Sequence, residues 1–322
     1  MTSLAEPASR ALRAPQLQTS VEMLRGALLW LTGFSGAFVF VEPSPYEFAS
    51  LITIIFFAAT GLSLSPAVMP LAILLVLYNI GFAFAVIPVL DVPKTLLWVL
   101  ILCYLGATAL FFAAMLGRNT SARLSLLLRG TTAGAALAAF AAIIGYFGFA
   151  SELFSLYERA RGTFNDPNVL GAFVVLPALL AFQRVLTGHL AAALRAGALL
   201  LVLLAALFLS FSRAAWGQFA LATIVLMGLS LATTRSSRER MRIVLFAVLG
   251  AAAVAAFVLA LLSIEQVAEA FKERASLEQS YDVGYTGRFG RHILGILMAL
   301  DRPLGIGPLQ FRTFFPEDPH NV

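Results

Sequence analysis

From residue 26 to residue 263 the chain is a succession of apolar blocks. Each is about 17–23 residues long, the length of helix that crosses a hydrocarbon core of ~30 Å. Nothing else in the sequence restricts the fold as strongly. Only 12% of the 322 residues are Asp, Glu, Lys or Arg, and 60% are hydrophobic, whereas soluble domains carry about 25% charged residues. Such a chain buries its apolar surface against lipid and neighbouring helices. The expected fold is therefore all-α: a polytopic helical membrane protein of about nine transmembrane helices.

The predicted spans are 26–42, 48–64, 68–90, 95–116, 131–150, 168–186, 192–211, 214–232 and 243–263. The stretch 196–232 is almost unbroken. As one helix of 37 residues it would measure roughly 55 Å, too long for a single crossing. It would also leave Arg213 near the bilayer centre at a cost of about 3 kcal/mol. A turn at Ser210-Phe211-Ser212-Arg213 removes both problems, so two helices are expected. The polar start, Met1 to Glu22, has no small-residue cleavage site after its apolar block, which reads as a retained signal anchor.

Loop charge gives the orientation. With the N-terminus cytoplasmic, Arg10, Arg13, Arg25, Arg118, Arg123, Arg129, Arg184, Arg195, Arg235, Arg238, Arg240 and Arg242 fall inside. The short outer connections hold only Lys94, Arg159, Arg161 and Arg213. Residues 264–322 then lie outside as a long, charge-rich segment, helix-like over 264–279. The net charge of +5 sits in these loops, so it is a topology signal, and nucleic acid is not an expected partner. Cys103 is the one cysteine and lies within a span, so no intrachain disulfide is available. The organisation expected is a tail over 1–25, N-terminal helices over 26–150, a membrane core over 151–263 and an outer segment over 264–322.

Polar chemistry is scarce and mostly outside. Arg213 opens a span with Trp216 one turn on. A guanidinium fixed at an interface can grip a phosphate bidentately, and it can equally be a snorkelling arginine beside a belt tryptophan. Arg159 and Arg161 precede Gly162-Thr163-Phe164-Asn165-Asp166-Pro167-Asn168. That stretch reads either as a turn capped by Asp166 or Asn168, or as a loop presenting an arginine and a helix N-terminus to an anion. Further on come Tyr285-Thr286-Gly287-Arg288, then Arg291, then Pro303-Leu304-Gly305-Ile306-Gly307 and His320-Asn321. The glycines lack the ending of a phosphate loop and read as a tight turn. Of three histidines, His189 is predicted inside, and His292 and His320 outside. His320 can take a proton from a hydroxyl, with Asp318 or Asn321 orienting its ring, or sit inert near the chain end. No cluster has metal-ligand spacing, and Glu152, Glu158 and Asp166 read as solvated.

Four stretches in order, Arg161 to Asn168, Ser212-Arg213, Gly287-Arg288, and Pro303 to Gly307 with His320-Asn321, resemble the O-antigen ligase and polymerase family of bacterial membrane glycosyltransferases. The resemblance covers about 155–322. It implies a glycosyltransferase-C-like helical enzyme of the bacterial inner membrane whose donor is a glycan on undecaprenyl diphosphate. The acceptor it implies is lipid A–core for a ligase, another glycan for a polymerase, or a protein hydroxyl for an O-oligosaccharyltransferase. No cofactor and no metal are implied. By position, Arg213 and Arg288 look like the arginines that hold the diphosphate, and His320 like the base that activates the acceptor. Arg161, Arg159, Arg291, Asn168 and Asn321 are the implied further substrate contacts. Family members continue into further spans after the His-Asn pair, so a longer protein than these 322 residues is expected. The competing class is a transporter or flippase, which would place ionisable residues near mid-membrane and repeat its halves. The span interiors hold few such residues and no half-repeat is visible.

Overall fold

The structure is a computed structural model describing residues 6–92, 95–275, 287–302 and 304–315. It divides into two compact units, Met1–Thr60 with Ser121–Ala275, and Gly61–Thr120 with Ser276–Val322.

The first unit holds α1 (Glu6–Ser35), α2 (Pro45–Gly61), and, beyond the second unit's helices α3 (Met69–Val86) and α4 (Thr95–Leu116), α5 (Thr120–Tyr146). A short turn of helix, α6 (Ser151–Phe154), and a two-stranded hairpin, β1 (Ser155–Leu156) with β2 (Arg159–Ala160), follow. Then come α7 (Pro167–Thr187), α8 (Leu190–Leu209), α9 (Arg213–Thr233), α10 (Ser237–Leu262) and α11 (Glu265–Ala275). The second unit continues with α12 (Arg288–Asp301) and α13 (Phe311–Phe314).

Helices α7 and α8 form the centre of the first unit. Leu170, Val174 and Ala178 of α7 and Leu203, Leu207 and Leu209 of α8 pack with Ala135, Ala138 and Ala142 of α5 in one buried cluster. In contrast, α9 and α10 keep large apolar side chains such as Leu221, Ile224, Val248 and Leu249 exposed. On helices of 21 and 26 residues an apolar outer face is a lipid-facing surface.

Small residues let α1 and α5 cross closely. A Cβ built on Gly130 would lie 2.0 Å from the Trp30 carbonyl oxygen, and one on Gly134 would lie 2.5 Å from that of Phe34. Gly33 faces back in the same way, 2.4 Å from the Leu127 carbonyl oxygen. The Gly130-x-x-x-Gly134 spacing is the small-residue pattern that brings membrane helices into backbone contact. Hydroxyls add polar links: Thr32 bonds Thr53 at 2.8 Å, and Arg25 reaches the Thr60 carbonyl at 2.7 Å.

Among the described residues seven helices are long and apolar enough to cross a membrane: Pro66–Val89, which includes α3 and a 3-10 turn at each end, and α4, α5, α7, α8, α9 and α10. The protein is thus an all-α polytopic membrane protein. The expected nine compare with these seven among the described residues. The block expected over 26–42 leaves helix at Ser35, because Val39 instead donates to the Thr163 carbonyl at 2.9 Å and bridges Phe164. The second expected span is the 17-residue α2, shorter than the others. Helix α5 also starts eleven residues before the predicted 131, so Arg123 and Arg129 are helical rather than in a loop.

The division of 196–232 into two helices is present as argued from length and charge. Helix α8 ends at Leu209 and α9 starts at Arg213. Phe211 takes a left-handed φ of 47°, and Ser212 Oγ accepts from Ala215 N at 3.4 Å as the cap of α9. His189 has a comparable structural place, its Nδ1 accepting from Ala192 N at 3.4 Å to cap α8.

The two ends of the first unit are tied separately. At one end Arg242 donates to the Leu186 carbonyl at 3.1 Å, fastening α10 to the α7–α8 turn. At the other, the 151–166 segment, the 210–212 turn and α11 meet. Loop charge assigned the connections of each end to the same side, and within this unit they do share an end.

Candidate functional site

The polar end of the first unit is built around a hairpin arginine. Tyr157 and Glu158 take left-handed φ values of 50° and 58°, the pair of conformations a two-residue primed turn needs. That turn directs Arg159 back over the bundle. Its Nε donates to the Ser210 carbonyl at 2.8 Å, and a terminal nitrogen donates to Asn168 Oδ1 at 2.7 Å. One side chain therefore ties the hairpin to both the α8–α9 turn and the first turn of α7.

Two helix N-termini converge there. Asp166 caps α7, its Oδ1 accepting from Asn168 N at 2.6 Å. Of the two capping candidates, Asp166 serves and Asn168 turns its side chain to Arg159. A Cβ on Gly171 would lie 2.9 Å from Ala215 Cβ and 3.0 Å from Ser210 Oγ, so the start of α7 packs directly on the start of α9. Arg213, half-buried, is the first residue of α9. Its positive charge sits at the positive end of the helix macrodipole, where an anion is favoured and a cation is not.

Behind Arg213 lies an aromatic wall. Trp216 Nε1 donates to the Leu207 carbonyl at 3.0 Å. Its ring stacks with Phe208 at 5.5 Å and with Phe271 of α11 at 5.9 Å between centroids. Arg161, by contrast, braces the loop itself: Nε donates to the Leu153 carbonyl at 3.2 Å and a terminal nitrogen to that of Glu152 at 2.9 Å.

In the second unit, Gly287 caps α12 and Arg288 is its first residue. Arg291 is buried, and with His292, Arg302, Gly305 and Phe311 it lines a cavity of about 360 Å³. Gly305 and Gly307 have φ of 78° and 87°, the tight turn expected from sequence. His292 was not singled out by its sequence context. Its signal was the spacing Arg288, Arg291, His292, which is i, i+3, i+4, one helical face. Pro303, His320 and Asn321 lie outside the described residues.

The structure thus brings Arg159, Asn168 and the turn leading into Arg213 together in the first unit, keeps Arg161 on loop carbonyls, and places Arg288 and Arg291 on one helix of the second. Ser210 is the participant that sequence reasoning missed, because its contribution is a backbone carbonyl.

Removal of Arg159 tests its anchoring role. Arg159→Ala is expected to lower stability by about 1.5–3 kcal/mol, the range for hydrogen bonds that involve a charged group. Thermal unfolding of the detergent-purified protein measures it, with Asn168→Ala losing the smaller share. An Arg159→Ala protein as stable as the parent would remove the anchor.

A polytopic helical membrane protein with an arginine-bearing polar end is the class this architecture defines. Residues 198–321 match the family described as O-antigen ligase, in agreement with the resemblance read from the motifs. The match includes Arg213, Arg288, Arg291, His320 and Asn321, and supports a membrane glycosyltransferase of the O-antigen ligase or polymerase type. No curated protein and no solved structure matches the chain.

Proposed function

We propose that the protein moves a glycan from undecaprenyl diphosphate to an acceptor hydroxyl at the periplasmic face of a bacterial inner membrane, as an O-antigen ligase does on lipid A–core. The family match over 198–321 carries this reading. The placement of Arg213 at a helix N-terminus, beside the α7 N-terminus, supports it.

In the proposed reaction His320 takes the proton of the acceptor hydroxyl, with Asn321 orienting the ring. The freed oxygen attacks the anomeric carbon as the bond to the diphosphate breaks, with inversion. The electron pair leaves with undecaprenyl diphosphate, whose charge Arg213 and Arg288 neutralise. Arg291 and Asn168 are further contacts. Arg159 positions the turn ahead of Arg213, and Arg161 contributes N–H groups beyond the two that hold the loop. No metal and no cofactor is part of the proposal. Polymerase and protein O-oligosaccharyltransferase share this donor chemistry and differ in acceptor.

A deletion strain tests it by its lipopolysaccharide, polysaccharide and glycoprotein profiles, complemented by the parent or by His320→Ala. The expected result is loss of one glycan class, restored by the parent alone. Unchanged profiles on deletion, or full rescue by His320→Ala, would overturn the mechanism. Movement of the lipid-linked glycan across liposomes without a new glycosidic bond would point to a flippase.

A further inference from the structure

At the end of the first unit remote from Arg159 and Asp166, the start of α5, the last turn of α7 and the start of α8 enclose a groove of about 760 Å³. Three arginines line it, one from each helix: Arg129, Arg184 and Arg195. The hydroxyl-bearing Ser121, Ser125 and Thr132 join them, and no carboxylate lines the groove. Among the described residues the ion pairs are those of Glu22 with Arg25 and Arg123, so none of the three groove arginines is neutralised by an acid. Arg195 donates only along its own helix, to the Ala191 carbonyl at 3.2 Å. The remaining wall is apolar, with Leu128, Ala136, Leu180 and Leu199 carrying it along the spans.

Arg129, Arg184 and Arg195 are exposed and line one groove without a counter-ion, so their summed positive field draws an anion into it. A free inorganic anion would satisfy the arginines but leave the apolar length of the groove unfilled. A phosphodiester with an attached acyl chain satisfies both. We infer that this groove binds an anionic glycerophospholipid, with its phosphate among Arg129, Arg184 and Arg195 and an acyl chain along Leu128, Leu180 and Leu199. Loop charge predicts that this end faces the cytoplasm, where basic pockets between helices meet anionic headgroups. The inference does not depend on the proposed glycosyltransferase reaction, since none of its residues belongs to that site.

The test is native mass spectrometry of the detergent-purified protein with phosphatidylglycerol or phosphatidylcholine added. The parent is expected to retain phosphatidylglycerol about tenfold better, and the triple variant Arg129→Gln, Arg184→Gln, Arg195→Gln to lose that preference. A double variant at Arg235 and Arg238, two exposed arginines that do not line the groove, should keep it. If the triple variant aggregates, Arg184→Gln alone is read instead, with about a fivefold loss expected, the worth of one basic residue at an anionic surface. Equal retention of the two lipids by the parent would overturn the inference, as would an equal loss in the Arg235/Arg238 variant. Displacement of phosphatidylglycerol by inorganic phosphate at millimolar concentration would replace the lipid by a soluble anion and overturn it as well.

Discussion

Replacing Arg213 by alanine is expected to reduce glycan transfer at least about 100-fold, the loss typical when one fixed donor to a developing anion is removed. The protein should still insert and remain stable. As the first residue of α9, Arg213 opposes the helix macrodipole, an effect of about 0.3–1 kcal/mol that sets a small scale for the stability change. Under the proposed role the larger loss is the contact to the diphosphate. A loss of transfer far larger than the loss of stability would distinguish a ligand-binding arginine from a structural one. Arg213→Lys sharpens the test. A merely interfacial arginine is replaced by lysine at little cost, because both snorkel. A bidentate phosphate contact is not, because the ammonium lacks the planar fork. Transfer from a lipid-linked glycan to acceptor in detergent, with the amount of folded protein measured alongside, decides it. Near-parental transfer by the alanine variant would end the role of Arg213.

The largest effect on stability is expected at the α1–α5 crossing. In Gly130→Val the new Cβ falls 2.0 Å from the Trp30 carbonyl oxygen and 3.0 Å from Phe34 N, and in Gly134→Val 2.5 Å from the Phe34 carbonyl oxygen. These are backbone atoms, so no rotamer change relieves the overlap and the helices must separate. A destabilisation of about 3 kcal/mol is expected for each, the upper end for overpacking. Gly217→Ala is the control, since nothing lies within 4 Å of its Cβ position. Alanine there should be neutral or stabilising by up to about 1 kcal/mol through helix propensity. Denaturant titration in mixed micelles measures all three. Parental stability for both valine variants would refute the close crossing.

How far the sequence could be read depended on the length scale of the cause. The break at Ser210–Arg213 followed from helix length and the cost of a buried guanidinium, both local to one stretch of chain. Span α4 was placed at its residues for the same reason. The early end of α1 was not legible, because Val39 leaves helix to meet Thr163 and Phe164, more than 120 residues away. The hairpin also escaped notice. Its turn residues are Tyr157 and Glu158 rather than the Asn or Gly that announce a primed turn. Arg159 and Arg161 were recognised as notable, but their partners are mostly backbone carbonyls, which leave no mark in composition. For His320 and Asn321 the reading rests on motif position and on the family match.

The stacking of Trp216 has a practical corollary. Its indole packs against both Phe208 and Phe271, which also stack on each other, with its N–H bonded to a carbonyl, and the chain has only three tryptophans. With Trp30 and Trp98 changed to phenylalanine, the emission of the remaining chromophore would report whether α11 is seated on the bundle. Fluorescence then offers a real-time view of the α11 contact with Trp216, with no attached label.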